Sequence, residues 1–447
     1  MDTLTAARWQ MTVSMAFHMV FAAVGIGLPL LLVIVEGLSL RTRQPHYMEL
    51  ARKWAKVTGL LFAVGAISGT ALSFELGLLW PRYMEITGAA VGHIFGLEGF
   101  AFFIEAICIG LYLYGWDRLT PVQHWLCGVV IAISGAVSGI LILGVNAWMQ
   151  LPVGFELDAA GQVIVTDPIA IFKRYAWFVM ALHSTLSCYI AVAFAAAAVY
   201  AWGYLRGKRD AYHRSAIMVC LAVGAVTAIL QPFSGDLLAK FVFHTQPAKF
   251  AAMEGHFETQ THAPLHLGGI PDMETGQTNY AVKLPAMLSV LATHDPATTV
   301  TGLNDIPREN WPNVMITHGA FQVMIILGVA LMALSGWFWL ARWRRGESAL
   351  RNRWLLRAIV ACGSFGFVAL EAGWIVTEVG RQPWVIQGIL KTADAVTPAA
   401  GVPQLFYGFT ALYVALAVAV LAFLRQLTAK PADAVTAPQE ERELIEV

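Results

Sequence analysis

A chain of 447 residues that is 57% hydrophobic, 13% charged and formally neutral is not composed like a soluble domain, which carries about twice that charge. The absence of a basic block leaves nucleic-acid binding without support. All five cysteines (Cys108, Cys127, Cys188, Cys220 and Cys362) lie in apolar runs with no CxxC or CxxCH, which argues against disulfides, iron–sulfur clusters and covalent haem.

Nine apolar stretches long enough to cross a bilayer follow one another: 11–38, 57–80, 94–115, 125–147, 175–203, 215–232, 314–341, 354–376 and 404–425. The expected fold is an all-α integral membrane protein of about nine transmembrane helices. The first stretch lacks a basic leader and a small-residue cleavage site, so it reads as a retained span. Roughly two thirds of the 29 Lys and Arg, including Arg41, Lys53, Arg206, Arg209, Arg344 and Arg345, follow the odd-numbered stretches. The positive-inside rule therefore predicts an outer N-terminus and a cytoplasmic C-terminus. Residues 1–430 read as one transmembrane domain with an extracytoplasmic loop at 233–313. The polar segment 431–447 reads as a disordered cytoplasmic tail.

His18, Glu98, His183, Met324 and Glu371 stand inside these stretches. Ionisable groups in hydrocarbon cost at least a few kcal/mol, so they mark sites more often than scaffold. The predicted orientation places all five in the outer half, about 6–15 Å from the surface at ~1.5 Å per residue. His, Met and carboxylate together point to axial ligands of iron. Taken singly, a histidine could be an interhelical hydrogen bonder and Met324 core filler. The carboxylates could form a cation or proton path without iron. Glu105 follows Glu98 by two turns on the same face, about 10 Å deeper, where a carboxylate suits a proton relay.

Local sequence narrows these options. EAGWIVTEVGRQPW (Glu371–Trp384), LEGFAFFIEA (Leu97–Ala106), YGWDRL (Tyr114–Leu119), NAWMQLPVG (Asn146–Gly154) and the FQVM around Met324 resemble, in order, blocks of subunit I of the cytochrome bd quinol oxidases. The resemblance covers about residues 5–425. It implies that His183 and Met324 ligate a low-spin b haem, and that His18 and Glu371 each hold one of two high-spin haems, a b haem and haem d or a third b haem in its place. It also implies Glu98 beside that pair and Glu105 on the proton route. Independently, His plus Met fills the iron and raises its potential, as an electron acceptor needs. The planar fork of Arg381 suits a haem propionate. Trp374 and Trp384 could pack on a macrocycle or be structural.

The long polar segment Gly235–Pro312 contains QPAKFAAMEGHFETQ (Gln246–Gln260) and GIPD (Gly269–Asp272), similar to the family's quinol-binding loop. Lys249 and Glu254 match positions associated there with quinol oxidation, Glu254 as base and Lys249 orienting an oxygen. Without the resemblance they could be a solvated charge pair. His244, His256, His262 and His266 do not form a closed metal motif. The short loop, with SFELGLLWPRY (Ser73–Tyr83), is similar to the subgroup that includes oxidases called cyanide-insensitive. Gln322 stands where many relatives have Arg, which would make reduction of the low-spin haem harder.

The expected function is that of the haem-bearing subunit of a bacterial inner-membrane terminal oxidase. It would oxidise ubiquinol or menaquinol outside and reduce O2 to water electrogenically without pumping. The resemblance implies a homologous subunit II and leaves room for a small single-helix subunit. The alternatives are a b-type quinol dehydrogenase subunit and a proton or cation transporter.

Overall fold

The computed structural model describes residues 1–159 and 161–429; the tail predicted at 431–447 lies outside them. Helix α1 (Thr3–Thr42) starts where the Asp2 carboxylate accepts the Thr5 N–H at 2.9 Å. Helices α2 (Pro45–Leu79), α3 (Pro81–Tyr114) and α4 (Pro121–Gln150) each begin with proline, where its missing N–H leaves no helix bond unmade. Thr120 and Gln123 add a capping box to α4. A small hairpin, β1 (Phe155–Leu157) with β2 (Val163–Val165), leads to α5 (Tyr175–Leu205) and α6 (Ala211–Thr245).

A short helix, α7 (Pro247–Glu254), opens the long connection. Two antiparallel pairs follow, β3 (Leu265–Leu267) with β6 (Val282–Leu284) enclosing β4 (Ile270–Asp272) with β5 (Gln277–Asn279), and then α8 (Met287–Thr293). Helix α9 (Val314–Arg345) precedes α10 (Arg353–Ala361) and α11 (Phe365–Val379), which make one span around a 3-10 turn at Cys362–Ser364. The strands β7 (Trp384–Ile386) and β8 (Leu390–Lys391), then α12 (Thr392–Ala395), lead to α13 (Val402–Ala429). Among the described residues nine helices are long and apolar enough to span a membrane.

The helix ends depart from the apolar stretches. Arg52, Lys53 and Lys56 belong to α2 rather than to a loop, and α6 continues through Pro232 to Thr245. Hydropathy registers the polar Ser234–Lys240 region as an end. The helix persists because Phe241 and Val242 are buried and Lys240 pairs with Asp236 one turn away at 2.7 Å. The loop expected from residue 233 therefore leaves the helix only after Thr245. Depths counted from span starts shift as well. His18 and Glu98 lie about 22–25 Å along their helices, against about 12–15 Å for His183, Met324 and Glu371. Two apolar clusters fill the bundle. One joins Leu31, Leu50, Phe194, Ile217 and Phe338; the other joins Trp80, Ile94, Trp148 and Phe250 near the loops.

Candidate functional site

His18 on α1 meets α2, its Nδ1 3.0 Å from Ser68 Oγ. His183 on α5 meets α6, its Nδ1 3.0 Å from Ser234 Oγ. Helix α11 packs against both α5 and α9. A Cβ added at Gly373 of α11 would lie 3.1 Å from Met324 Sδ of α9, so glycine makes room for the thioether. On the same helix the buried Glu371 Oε1 has no partner. Trp374 packs on the small cluster of Ala23, Cys188, Ala191 and Leu370, between α1, α5 and α11. Helix α11 thus joins α1 and α5 to α9, which carries Met324.

A polar seam runs between α1, α3 and α4. Glu98 accepts from Ser138 Oγ at 2.7 Å. Two turns on, Glu105 Oε1 lies 3.0 Å from where a Cβ would stand on Gly135, a point 3.1 Å from Gly25 O; small residues open the space for this carboxyl. Two further turns on, Tyr112 donates to Glu36 Oε2. The other Glu36 oxygen is 2.7 Å from His124 Nδ1, and His124 Nε2 is 2.9 Å from Tyr112 O. Trp116 covers this buried triad, with ring centroids 3.9 Å apart, and Arg52 lies 4.9 Å over Trp116. Glu36, Tyr112 and His124 escaped the sequence reading. The signal was present, because Glu98, Glu105 and Tyr112 recur every seven residues on one helix face.

At the loop end, Lys249 of α7 is buried and donates to Gln150 Oε1. Its ammonium is held well below the usual lysine range by burial and then by the Arg381 guanidinium, with Glu378 opposing. Arg381 donates to Glu378, whose other oxygen accepts from Asn146 Nδ2 at 2.8 Å. Buried Arg381 Nε and Nη1, Gln150 Nε2 and Gln246 Nε2 have no acceptor. A cavity of about 270 Å³ opens here, bounded by Gln246, Lys249, Arg381, Gln382 and Trp384. Gln246 Oε1 and Asn310 Oδ1, acceptors on the same lining, also lack partners, so the cavity suits a ligand that both accepts and donates hydrogen bonds.

Glu254 does not line this cavity. It is five residues beyond Lys249 on α7, about 140° around the helix. Its carboxyl is buried with Oε2 unpartnered, and burial pushes its pKa up to about 8. The structure therefore brings Lys249 to Arg381 and sets Glu254 on another side of α7. Gln322 faces the loop: its Nε2 donates to His266 O and its Oε1 accepts from Gly268 N, both at 3.1 Å.

Residues 6–432 match the family of cytochrome bd terminal oxidase subunit I. The chain belongs to that family. It is similar over its whole fold to the bd oxidase structure from Geobacillus thermodenitrificans, with a TM-score of 0.90, 37% identity, and 96% of this chain and 98% of that one covered. A Bacillus subtilis (strain 168) protein provisionally described as cytochrome bd menaquinol oxidase subunit I is 35% identical, over 94% of this chain and 95% of its own. The cytochrome bd-II ubiquinol oxidase subunit 1 of Escherichia coli (strain K12) is 28% identical, over 88% and 90%.

Cytochrome bd membership makes the chain a quinol-oxidase subunit and a multi-pass membrane protein, and it implies haem and a partner subunit II. The transporter and quinol-dehydrogenase alternatives fall away. The residues present fit haem. Two imidazoles, a thioether and an unpartnered carboxylate are the donor types that iron takes, and the orphaned guanidinium nitrogens of Arg381 suit a propionate.

Proposed function

We propose that this cytochrome bd subunit oxidises a membrane quinol, ubiquinol or menaquinol, at the outer face and reduces oxygen to water with protons from the cytoplasm. Charge separation then arises without pumping. The observation that carries this reading is the segregation of two polar systems, a cation-lined cavity beside α7 and an acidic seam between α1, α3 and α4. The N-terminus is outside and the C-terminus in the cytoplasm of a bacterial inner-membrane enzyme, beside subunit II and with room for a small single-helix subunit.

Haem, when bound, supplies the electron relay and the iron at which oxygen is reduced. His183 and Met324 offer nitrogen and sulfur from α5 and α9 to a low-spin b haem. His18 and Glu371 each hold one of the high-spin pair, a b haem and haem d or a third b haem. Arg381 pairs a propionate, and Trp374 fills the wall between α1, α5 and α11.

Lys249 orients a quinol oxygen in the cavity, where its weakly basic amine can donate without fixing a full charge. Glu254, which does not line the cavity, accepts a quinol proton through an intermediary rather than from the bound ring directly. On the opposite system, the Glu36–His124–Tyr112 triad takes up protons, Glu105 holds them between Gly25 and Gly135, and Glu98 with Ser138 delivers them. His183→Ala and Met324→Leu should each remove the low-spin signal from the reduced-minus-oxidised spectrum and leave the high-spin pair largely intact. A full low-spin spectrum in both variants would refute the ligand assignment.

A further inference from the structure

His18 and His183 sit in the same small structure, built twice. Ser68–Gly69 of α2 faces His18, and Ser234–Gly235 of α6 faces His183. Each serine oxygen lies 3.0 Å from an imidazole Nδ1. Each hydroxyl also has a helix carbonyl to donate to, three residues earlier: Gly65 O for Ser68 at 3.1 Å and Gln231 O for Ser234 at 2.8 Å.

A hydroxyl has a single hydrogen to give. With that hydrogen on the helix carbonyl, the oxygen facing the ring can only accept. Nδ1 then carries the imidazole hydrogen, and Nε2 keeps a lone pair for a metal. Around His183, Gln231 Nε2 stands 3.3 Å from Nδ1 and 3.2 Å from Nε2. The same amide nitrogen also donates to His183 O at 3.3 Å, so its hydrogens are shared with a backbone carbonyl.

The glycines complete the arrangement. A Cβ on Gly69 would lie 2.9 Å from His18 Cε1, and one on Gly235 would lie 3.3 Å from His183 Cε1. Each ring rests against helix backbone, and both serines are buried. Ser335–Gly336 on α9 shows that the dipeptide alone does not create this. Its serine bonds the carbonyl four residues back, and its glycine meets nothing within 4 Å.

We propose that Ser68 and Ser234 are positioning residues that set the tautomer, ring rotation and donor strength of the two haem-ligating histidines, with Gly69 and Gly235 providing the clearance. This rests on His18 and His183 being ligands. Outer hydrogen bonds of this kind raise ligand basicity, and their loss typically costs roughly 10–100-fold in metal affinity or activity. A more basic imidazole favours ferric iron, so removing the acceptor should raise the midpoint potential.

The test uses the assembled oxidase. Ser234→Ala should raise the midpoint of the low-spin haem alone in a spectroscopic redox titration. Ser68→Ala should lower the iron–histidine stretching frequency of the ferrous high-spin haem alone in resonance Raman spectra. Threonine at either position keeps the hydroxyl and should restore the parent value. Gly69→Ala and Gly235→Ala should lower occupancy of the matching haem, read as haem content per protein. Parent-like potentials and stretching frequencies in both alanine variants would overturn the proposal, as would equal shifts of both haems from either one. If His18→Ala or His183→Ala keeps its haem, the ligand reading itself fails, whatever the serine variants do.

Discussion

Glu254 is a buried acid whose native pKa of about 8 lies far above the ordinary carboxylate value, with desolvation as the cause. The sign of its pH effect follows. Between the unfolded value near 4.5 and about 8 the native state holds a proton that the unfolded chain releases, so this group's contribution to stability falls as pH rises through that window. As a base the group gains, because its deprotonated fraction grows towards pH 8. Quinol-driven oxygen uptake should therefore rise across this range in the parent and lose that limb in Glu254→Gln, as a pH–rate profile would record. An unchanged limb in the variant would assign it to another group. Gln322 shows how a neighbour alters a simple expectation. Arginine there would add a cation near Met324, but it has no acceptor for the Gly268 N–H that Gln322 now satisfies. Its effect on potential would thus be mixed with loosening of the loop.

At the scale of elements, α11 shows how composition positions chemistry. A Cβ on Gly366 would come within 2.5 Å of Ala191 Cα on α5, and one on Gly380, just past the helix, within 3.0 Å of Lys249 Cγ on α7. Together with Gly373 against Met324, these recur every seven residues and let three neighbours approach closely. Gly366→Ala should push α11 from α5 at an overpacking cost of about 1–3 kcal/mol. Gly408→Ala on α13 meets nothing within 4 Å and should be tolerated. Thermal unfolding in detergent and haem content per subunit compare the two; equal stability would mean that α11 has room to spare. Hydropathy made all nine spans legible, because lipid contact selects composition. It missed the starts of α2 and α3 and the end of α6, where prolines and loop packing decide. Ser68 and Ser234 were illegible for another reason. They lie 50 and 51 residues from their histidines, and only the packing of neighbouring helices joins them.

Across the whole molecule, the proposed function puts proton release and proton uptake in separate structures. Glu254 lies on α7 beside the loop, whereas Glu105 lies in the α1–α3–α4 seam that also holds Glu36, His124 and Tyr112. Effects of distant sites without shared partners usually add, so one substitution in each should act independently. Glu254→Gln should slow quinol oxidation while leaving oxygen reduction near normal when electrons are supplied artificially. Glu105→Gln should do the reverse, because an amide in that space cannot pass a proton onwards. Stopped-flow reaction of the pre-reduced enzyme with oxygen, with a pH indicator following proton uptake, separates the two. The double variant should show both defects without a further penalty. If Glu105→Gln reoxidises as fast as the parent with normal proton uptake, the seam is a structural hydrogen-bond network and the protons reach oxygen by another path.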